Sequence, residues 1–152
     1  MKQNKLTYFA ILIILVIVYI AVSTINNLPV QEAKIVTRIV DGDTIVVEGG
    51  ERVRLLDIDT PERGEKCYTE AKNRLAELIG GKAIILEKRG QDRDDYNRLL
   101  RYVIYNDTLI NLQLVREGLA NLYIYNKNTP YYNAFVEAEQ AAKNEGLCVW
   151  QK

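Results

Sequence analysis

The sequence predicts an α+β domain, mainly β with helices, built on a small closed five-stranded barrel and preceded by one hydrophobic N-terminal helix. Three observations carry this reading. Residues 6–22, LTYFAILIILVIVYIAV, hold no charged side chain. Residues 35–58 contain three short β-branched or alternating runs, broken at Asp41-Gly42 and Gly49-Gly50. After a helical stretch at 71–79, two more β-type runs follow before the last two helices.

The N-terminal segment stands apart. The uncharged run from Leu6 to Val22 follows Lys2 and Lys5. As a helix it covers roughly 26 Å, slightly short of a hydrocarbon core but long for the apolar stretch of a signal peptide. Residues 1–23 therefore read as a signal-anchor or a signal peptide, Ala21 and Ser23 being small and suitably spaced for cleavage. The basic flank stays in the cytoplasm in either case and sends the remainder outward. The domain is then expected outside the cell membrane, tethered through residues 6–22, or secreted. Residues 24–31, TINNLPVQ, read as a linker and 32–152 as one domain without internal repeats.

Past the linker the pattern turns to β. The runs at 35–40, 43–48 and 52–58 read as three strands in meander order, with Asp-Gly and Gly-Gly as hairpin signals between them. In AKNRLAELI, Ala71, Leu75, Leu78 and Ile79 recur at helical spacing, and Gly80-Gly81 ends the helix. KAIILE (82–87) and LLRYVIY (99–105) read as further strands, with the polar stretch 88–98 between them as an exposed loop. Asn111 is placed to cap LQLVRE ahead of Gly118, and Thr129-Pro130 to open a last helix running to Gly146. Five short strands with one helix between the third and fourth make a Greek-key barrel of the OB type, here with three helices.

Asp41-Gly42-Asp43 admits two readings. It is a tight turn with positive φ at its centre, or it is half of a metal site. If Gly49-Gly50 centres a two-residue hairpin, Asp43 lies opposite Leu56, and Asp43, Asp57, Asp59 and Glu62 gather at one end. Converging carboxylates repel one another, and a hard divalent cation such as Ca²⁺ or Mg²⁺ relieves them; ordinary surface acids at a strand end are the alternative. Pro61 pushes Thr60 into an extended conformation that fixes the direction of its carbonyl. Arg54 and Arg98 offer planar forks for phosphate oxygens, whereas Arg101 alternates like an ordinary strand residue. In an unbroken strand Arg54 faces away from Asp57 and Asp59, and a β-bulge between them would bring all three to one face.

Absences narrow the chemistry. The chain has no histidine, which excludes His-based general bases and the usual triads and leaves a carboxylate as the base. Its 20 basic and 20 acidic residues cancel, and without Lys2 and Lys5 the rest carries a net −2, so this is not a generally basic nucleic-acid binder. Cys67 and Cys148 are the only cysteines and lack zinc-type spacing. In an exported chain they are expected to form a disulfide worth roughly 4 to 5 kcal/mol before strain; two small buried thiols are the alternative.

The ordered set DGDT, RLLDIDTPE, DDYNR, LVREGLA and LYIY resembles the staphylococcal (micrococcal) nuclease, or thermonuclease-like, family from about residue 33 to Trp150. The resemblance implies an OB barrel with three helices and Ca²⁺-dependent cleavage of DNA and RNA to 3′-phosphate products by a monomer. It implies Asp43, Asp59 and the Thr60 carbonyl as Ca²⁺ ligands, with Asp41 behind them. Glu62 matches the general base and Arg54 and Arg98 the two phosphate-binding arginines; Arg101 lies outside that set. Tyr96, Tyr123 and Tyr125 fall where the family places tyrosines around the nucleotide, which favours single-stranded or frayed substrate.

Two departures stand out. Asn97 replaces a glycine before the second arginine, a change asparagine's tolerance of positive φ makes harmless. Asp95 occupies a position that is basic in the staphylococcal enzyme, so substrate capture is expected to be weaker and more salt-sensitive. The same fold also serves non-catalytic binding modules for nucleic acid or protein, the second reading.

Overall fold

The computed structural model describes the backbone of residues 2–26, 30–123 and 127–151, with side chains of the first stretch described for 8–23. The elements are α1 (Lys2–Asn26), β1 (Val30–Ile39), β2 (Thr44–Val47), β3 (Arg52–Leu55), β4 (Ile58–Asp59), α2 (Tyr68–Ile79), β5 (Ala83–Arg93), β6 (Leu99–Tyr105), β7 (Thr108–Leu109), α3 (Ile110–Arg116), β8 (Asn121–Leu122), α4 (Tyr132–Glu145) and a final 3₁₀ turn, Cys148–Trp150.

The N-terminal helix is present, but the expected membrane span over 6–22 finds no support. Among the described residues no helix is long and apolar enough to cross a membrane. The described side chains of α1, 8–23, are all exposed. Of the expected linker, 24–26 continue α1 and 30–31 begin β1, while 27–29 lie outside the described residues.

The barrel closes because β1 serves two neighbours. Val30–Ile35 pairs antiparallel with β5 and Val36–Ile39 with β2, the latter pairing carrying a register shift between Val36 and Arg38. Such an irregularity bends a strand and increases its twist. Strand β2 pairs with β3, β5 with β6, and the parallel pairing of β3 with β6 (Arg54↔Leu100) completes the ring. This is the five-stranded α+β barrel expected, with helix α2 between its third and fourth strands. Val36, Ile45, Val53, Leu55, Ile84 and Leu86 are at most 1% exposed and join Ala71, Leu75 and Ile79 of α2 and Phe135 of α4 in one core. Each large side chain so buried is worth about 1.5–3 kcal/mol.

Four local expectations need correction. Thr44 pairs with Arg54, and the Val47 amide meets the Glu51 carbonyl, so the hairpin loop takes three residues and Asp43 sits opposite Leu55, not Leu56. Two glycines at positive φ, Gly49 and Gly50, make that longer loop possible. The third strand stops at Leu55, because Asp57 adopts a left-handed conformation at φ 61° and starts a fresh strand at Ile58. Strand β5 runs on through Arg93, turning most of the expected 88–98 loop into strand; the extension is polar because much of it meets solvent, which erases the alternation a strand shows over a core. Asn111 caps nothing: it is fully buried, its amide donates to the Leu56 carbonyl, and its oxygen accepts from the Val103 amide.

Candidate active site

Two residues at the start of β2 organise the site. Asp43 is 6% exposed. Its Oδ2 accepts from the Thr60 amide at 3.0 Å and the Thr60 hydroxyl at 2.9 Å, while Oδ1 accepts from Thr44 Oγ1 at 3.0 Å. These bonds pin the β4 exit to the β2 entrance. Gly42 is needed for that contact and not for a left-handed turn. Its φ is not positive, and a Cβ there would lie 2.7 Å from Thr60 Oγ1 and 2.8 Å from Ala71 Cβ. The preceding turn is held by Asp41, whose Oδ1 accepts the Asp43 amide at 3.2 Å.

Arg54 reaches the same corner from β3. Its Nη1 donates to the carbonyls of Leu55 (3.0 Å) and Ile58 (2.8 Å) and lies 3.2 Å from Asp43 Oδ2; its Nη2 donates to Asp59 Oδ1 at 2.9 Å. The turn at Leu56-Asp57 removes the parity conflict and brings Arg54 and Asp59 together. It also turns Asp57 away from the expected carboxylate group. Asp57 is 3% exposed, and its carboxylate accepts the Tyr102 hydroxyl; the Tyr102 phenol is pushed up from its ordinary value by burial and by that carboxylate.

Arg98 approaches from the other side, directed by Asp94. Asp94 accepts the Arg98 amide at 2.9 Å and its Nε at 2.7 Å, and Arg98 Nη1 lies 3.3 Å from Thr44 Oγ1. Against the opposing effect of burial, these bonds hold the Asp94 carboxyl below the usual carboxylate range. Asn97 adopts φ 60°, the conformation its glycine-like role requires, and the exposed Tyr96 ring lies 5.4 Å from the Arg98 guanidinium. Thr44 and Asp94 are the residues the sequence reading passed over. The spacing of Asp94 four residues before Arg98 was the available signal. Arg101 is nearly buried and donates to Asp92 and to the Leu100 carbonyl, away from this corner.

Glu62 is exposed on the loop between β4 and α2. It borders a cavity of about 520 Å³ with Asp59, Thr60, Glu65, Asn121 and Val149. Tyr123 is exposed, and its amide donates to the Asp57 carbonyl at 2.9 Å. Tyr125 lies outside the described residues. Cys67 and Cys148 are joined as a disulfide.

Among the described residues no three carboxylates converge into a ready cation cage, because Arg54 sits between Asp43 and Asp59. The donor chemistry nevertheless fits a hard divalent cation: Asp41, Asp43, Asp59 and the Thr60 carbonyl offer oxygens only. Burial, and next the Asp43 charge, push the Asp41 carboxyl up. Partial burial raises the Asp59 carboxyl against the pull of Arg54, with Asp43 and Glu65 adding to the rise. A cation would relieve both.

The family described as staphylococcal nuclease homologue matches residues 52–152. The SPbeta prophage-derived endonuclease YokF of Bacillus subtilis (strain 168) is 40% identical over 126 residues, covering 76% of this chain and 43% of that protein. Endonuclease YncB of the same organism is 39% identical over 126 residues, covering 76% of this chain and 60% of YncB. The thermonuclease of Staphylococcus intermedius is 32% identical over 130 residues, covering 80% of this chain and 77% of that enzyme. The chain therefore spans about half the length of the two Bacillus relatives.

Proposed function

As this chain belongs to the staphylococcal nuclease homologue family, we propose that it is a Ca²⁺-dependent phosphodiesterase that hydrolyses DNA and RNA to 3′-phosphate products. One observation carries the reading. Two guanidinium groups meet on consecutive residues, Arg54 on Asp43 and Arg98 on Thr44, and the Thr44 hydroxyl donates to Asp43. Two positive forks brought to one acidic corner suit a phosphodiester in contact with a bound cation.

Asp43, Asp59 and the Thr60 carbonyl would hold Ca²⁺, with Asp41 behind them. The ion supplies Lewis-acid polarisation of a phosphoryl oxygen when bound. Arg54 and Arg98 bind the phosphate and neutralise the charge that grows on its oxygens during in-line displacement. Glu62 orients a water and takes its proton on a carboxylate oxygen. Tyr96 and Tyr123, both exposed, offer faces on which unpaired bases stack without regard to identity, which favours single-stranded or frayed substrate.

Incubating the full chain with plasmid, single-stranded DNA and RNA, in Ca²⁺ or in EGTA, tests this. Cleavage in Ca²⁺ alone, leaving 3′-phosphate ends, is the expected result. Binding of the same strands without cleavage in either condition would leave the non-catalytic binding module as the account.

The same reading puts the domain outside the cytoplasm, with residues 6–22 as an anchor or a cleaved signal. The disulfide supports the placement outside the cytoplasm. Protease added to intact cells should digest the domain; digestion only after lysis would refute this placement.

A further inference from the structure

Glu62 sits on a loop secured mainly at its two ends. Between Thr60 and Cys67 the backbone forms no helix or strand, and Gly64 takes a left-handed φ of 96°. Its internal bonds are local: the Glu62 amide donates to Glu65 Oε2 at 2.7 Å and the Glu65 amide to the Glu62 carbonyl at 2.9 Å. The front end is fixed by Thr60 on Asp43. The rear end is Cys67, 5% exposed and held at φ 70°, and α2 begins there without a side-chain cap. A non-glycine residue keeps such a conformation only where its surroundings enforce it.

What enforces it comes from the other end of the domain. Cys67 is bonded to Cys148, 81 residues away, with their Cα atoms 6.0 Å apart. The segment around Cys148 is itself docked. Leu147 lies so close to Gly118 that a Cβ on Gly118 would be 2.5 Å from Leu147 Cβ, and the Val149 amide donates to the Gly118 carbonyl at 3.1 Å. Lys66, beside Cys67, donates from Nζ to the Gln151 carbonyl at 3.2 Å. Val149 also forms one wall of the cavity that holds Asp59, Thr60 and Glu62. The disulfide thus ties the rear of the Glu62 loop to a segment seated on the end of α3.

We propose that the Cys67–Cys148 disulfide and the C-terminal segment it holds are positioning elements for Glu62, so that turnover depends on the oxidation state of this pair. The proposal rests on the assignment of Glu62 as the base. A dithiol reductant breaks the S–S bond, forms two S–H groups and is itself oxidised to a disulfide, a two-electron exchange. Cys67 is then released from its left-handed conformation, the first turn of α2 relaxes, and Glu62 loses its fixed distance from Asp59 and Thr60. Arg54, Arg98 and Tyr96 are held by other bonds and keep their places. Reduction therefore lowers kcat and leaves KM nearly unchanged. A displacement of about 1 Å at a reacting group costs up to about 10²-fold in rate. The enzyme would be quiet in a reducing compartment and active in an oxidising one.

The test is steady-state cleavage of a single-stranded oligonucleotide in Ca²⁺ by the full chain, oxidised and after dithiothreitol, with circular dichroism monitoring the fold. The expected result is a fall in kcat on the order of 10- to 100-fold on reduction, KM within about twofold, and recovery on reoxidation. A Cys67→Ser/Cys148→Ser protein should match the reduced enzyme and ignore the reductant. If reduction melts the domain at the assay temperature, the comparison moves to a lower temperature at which both forms are folded. Equal kcat for oxidised, reduced and double-variant proteins, with only the melting temperature changed, would overturn the proposal and leave the nuclease reading standing. An inactive oxidised protein would instead remove the nuclease reading beneath it.

Discussion

The corner made by Asp43, Arg54 and Thr60 and the proposed rim of Glu62, Tyr96 and Tyr123 are built in opposite ways. In the corner each polar group has several partners, and Asp43 alone receives bonds from Thr44 and two from Thr60 besides its contact with Arg54. On the rim the side chains are exposed, Tyr96 to 78%, and are carried by loops or strand ends. A corner so over-determined fixes where charge will sit before substrate arrives. A rim so exposed keeps its side chains accessible to a polymer that must enter from solvent. Substitutions in the two regions should therefore separate turnover from stability.

The largest effect is expected at the rim. Glu62→Gln should lower kcat by a factor on the order of 10² to 10⁴ and leave the melting temperature unchanged, since Glu62 is exposed. A lowered melting temperature would place Glu62 in the supporting frame. In the corner, Arg54→Lys should lower kcat by about 10²-fold and also cost about 1–3 kcal/mol in a denaturant titration. Lysine keeps the charge but cannot bond the Leu55 and Ile58 carbonyls and Asp59 at once. Asp57→Asn should show the reverse profile, a loss of about 1–3 kcal/mol with kcat per folded molecule unchanged, because its buried carboxylate accepts the Tyr102 hydroxyl. A fall in kcat there would return Asp57 to the carboxylate group. The smallest effect is expected for Tyr96→Ala: about 1 kcal/mol, roughly a fivefold rise in KM on single-stranded substrate, with kcat little changed.

The contrast also explains what was legible in the sequence. Core strands announce themselves through apolar alternation, as Ile45, Val53, Leu55 and Leu86 do, and the barrel with its intervening helix followed from them. The errors fall where backbone geometry overrides pattern. Asp57 reads as one more acid in a strand, but a left-handed φ turns it to the opposite side. Gly42 reads as a turn glycine, yet its role is to let Thr60 approach, which only the tertiary structure reveals. Asn111 looks like a cap because it stands at a helix start; its burial and its bonds to Leu56 and Val103 depend on residues far away in sequence. The extension of β5 through Arg93 is polar, so composition mimics a loop. The candidate site residues were nameable one by one. That Arg54 would bridge Asp43 and Asp59 was not, because it depends on the break after Leu55.

The central claim is that the Asp43 corner binds Ca²⁺ for phosphodiester hydrolysis, and Asp43→Asn tests it most directly. Asparagine suits a turn as well as aspartate does, but its amide nitrogen would face donors of Thr60 or Thr44, so some stability is lost in either case and only the Ca²⁺ dependence separates the two accounts. Titrating wild-type and variant proteins with Ca²⁺ by calorimetry, alongside their cleavage rates over the same Ca²⁺ range, gives the decisive comparison. The account predicts a folded variant whose Ca²⁺ affinity and activity fall together. An active Asp43→Asn protein with wild-type Ca²⁺ dependence would contradict it.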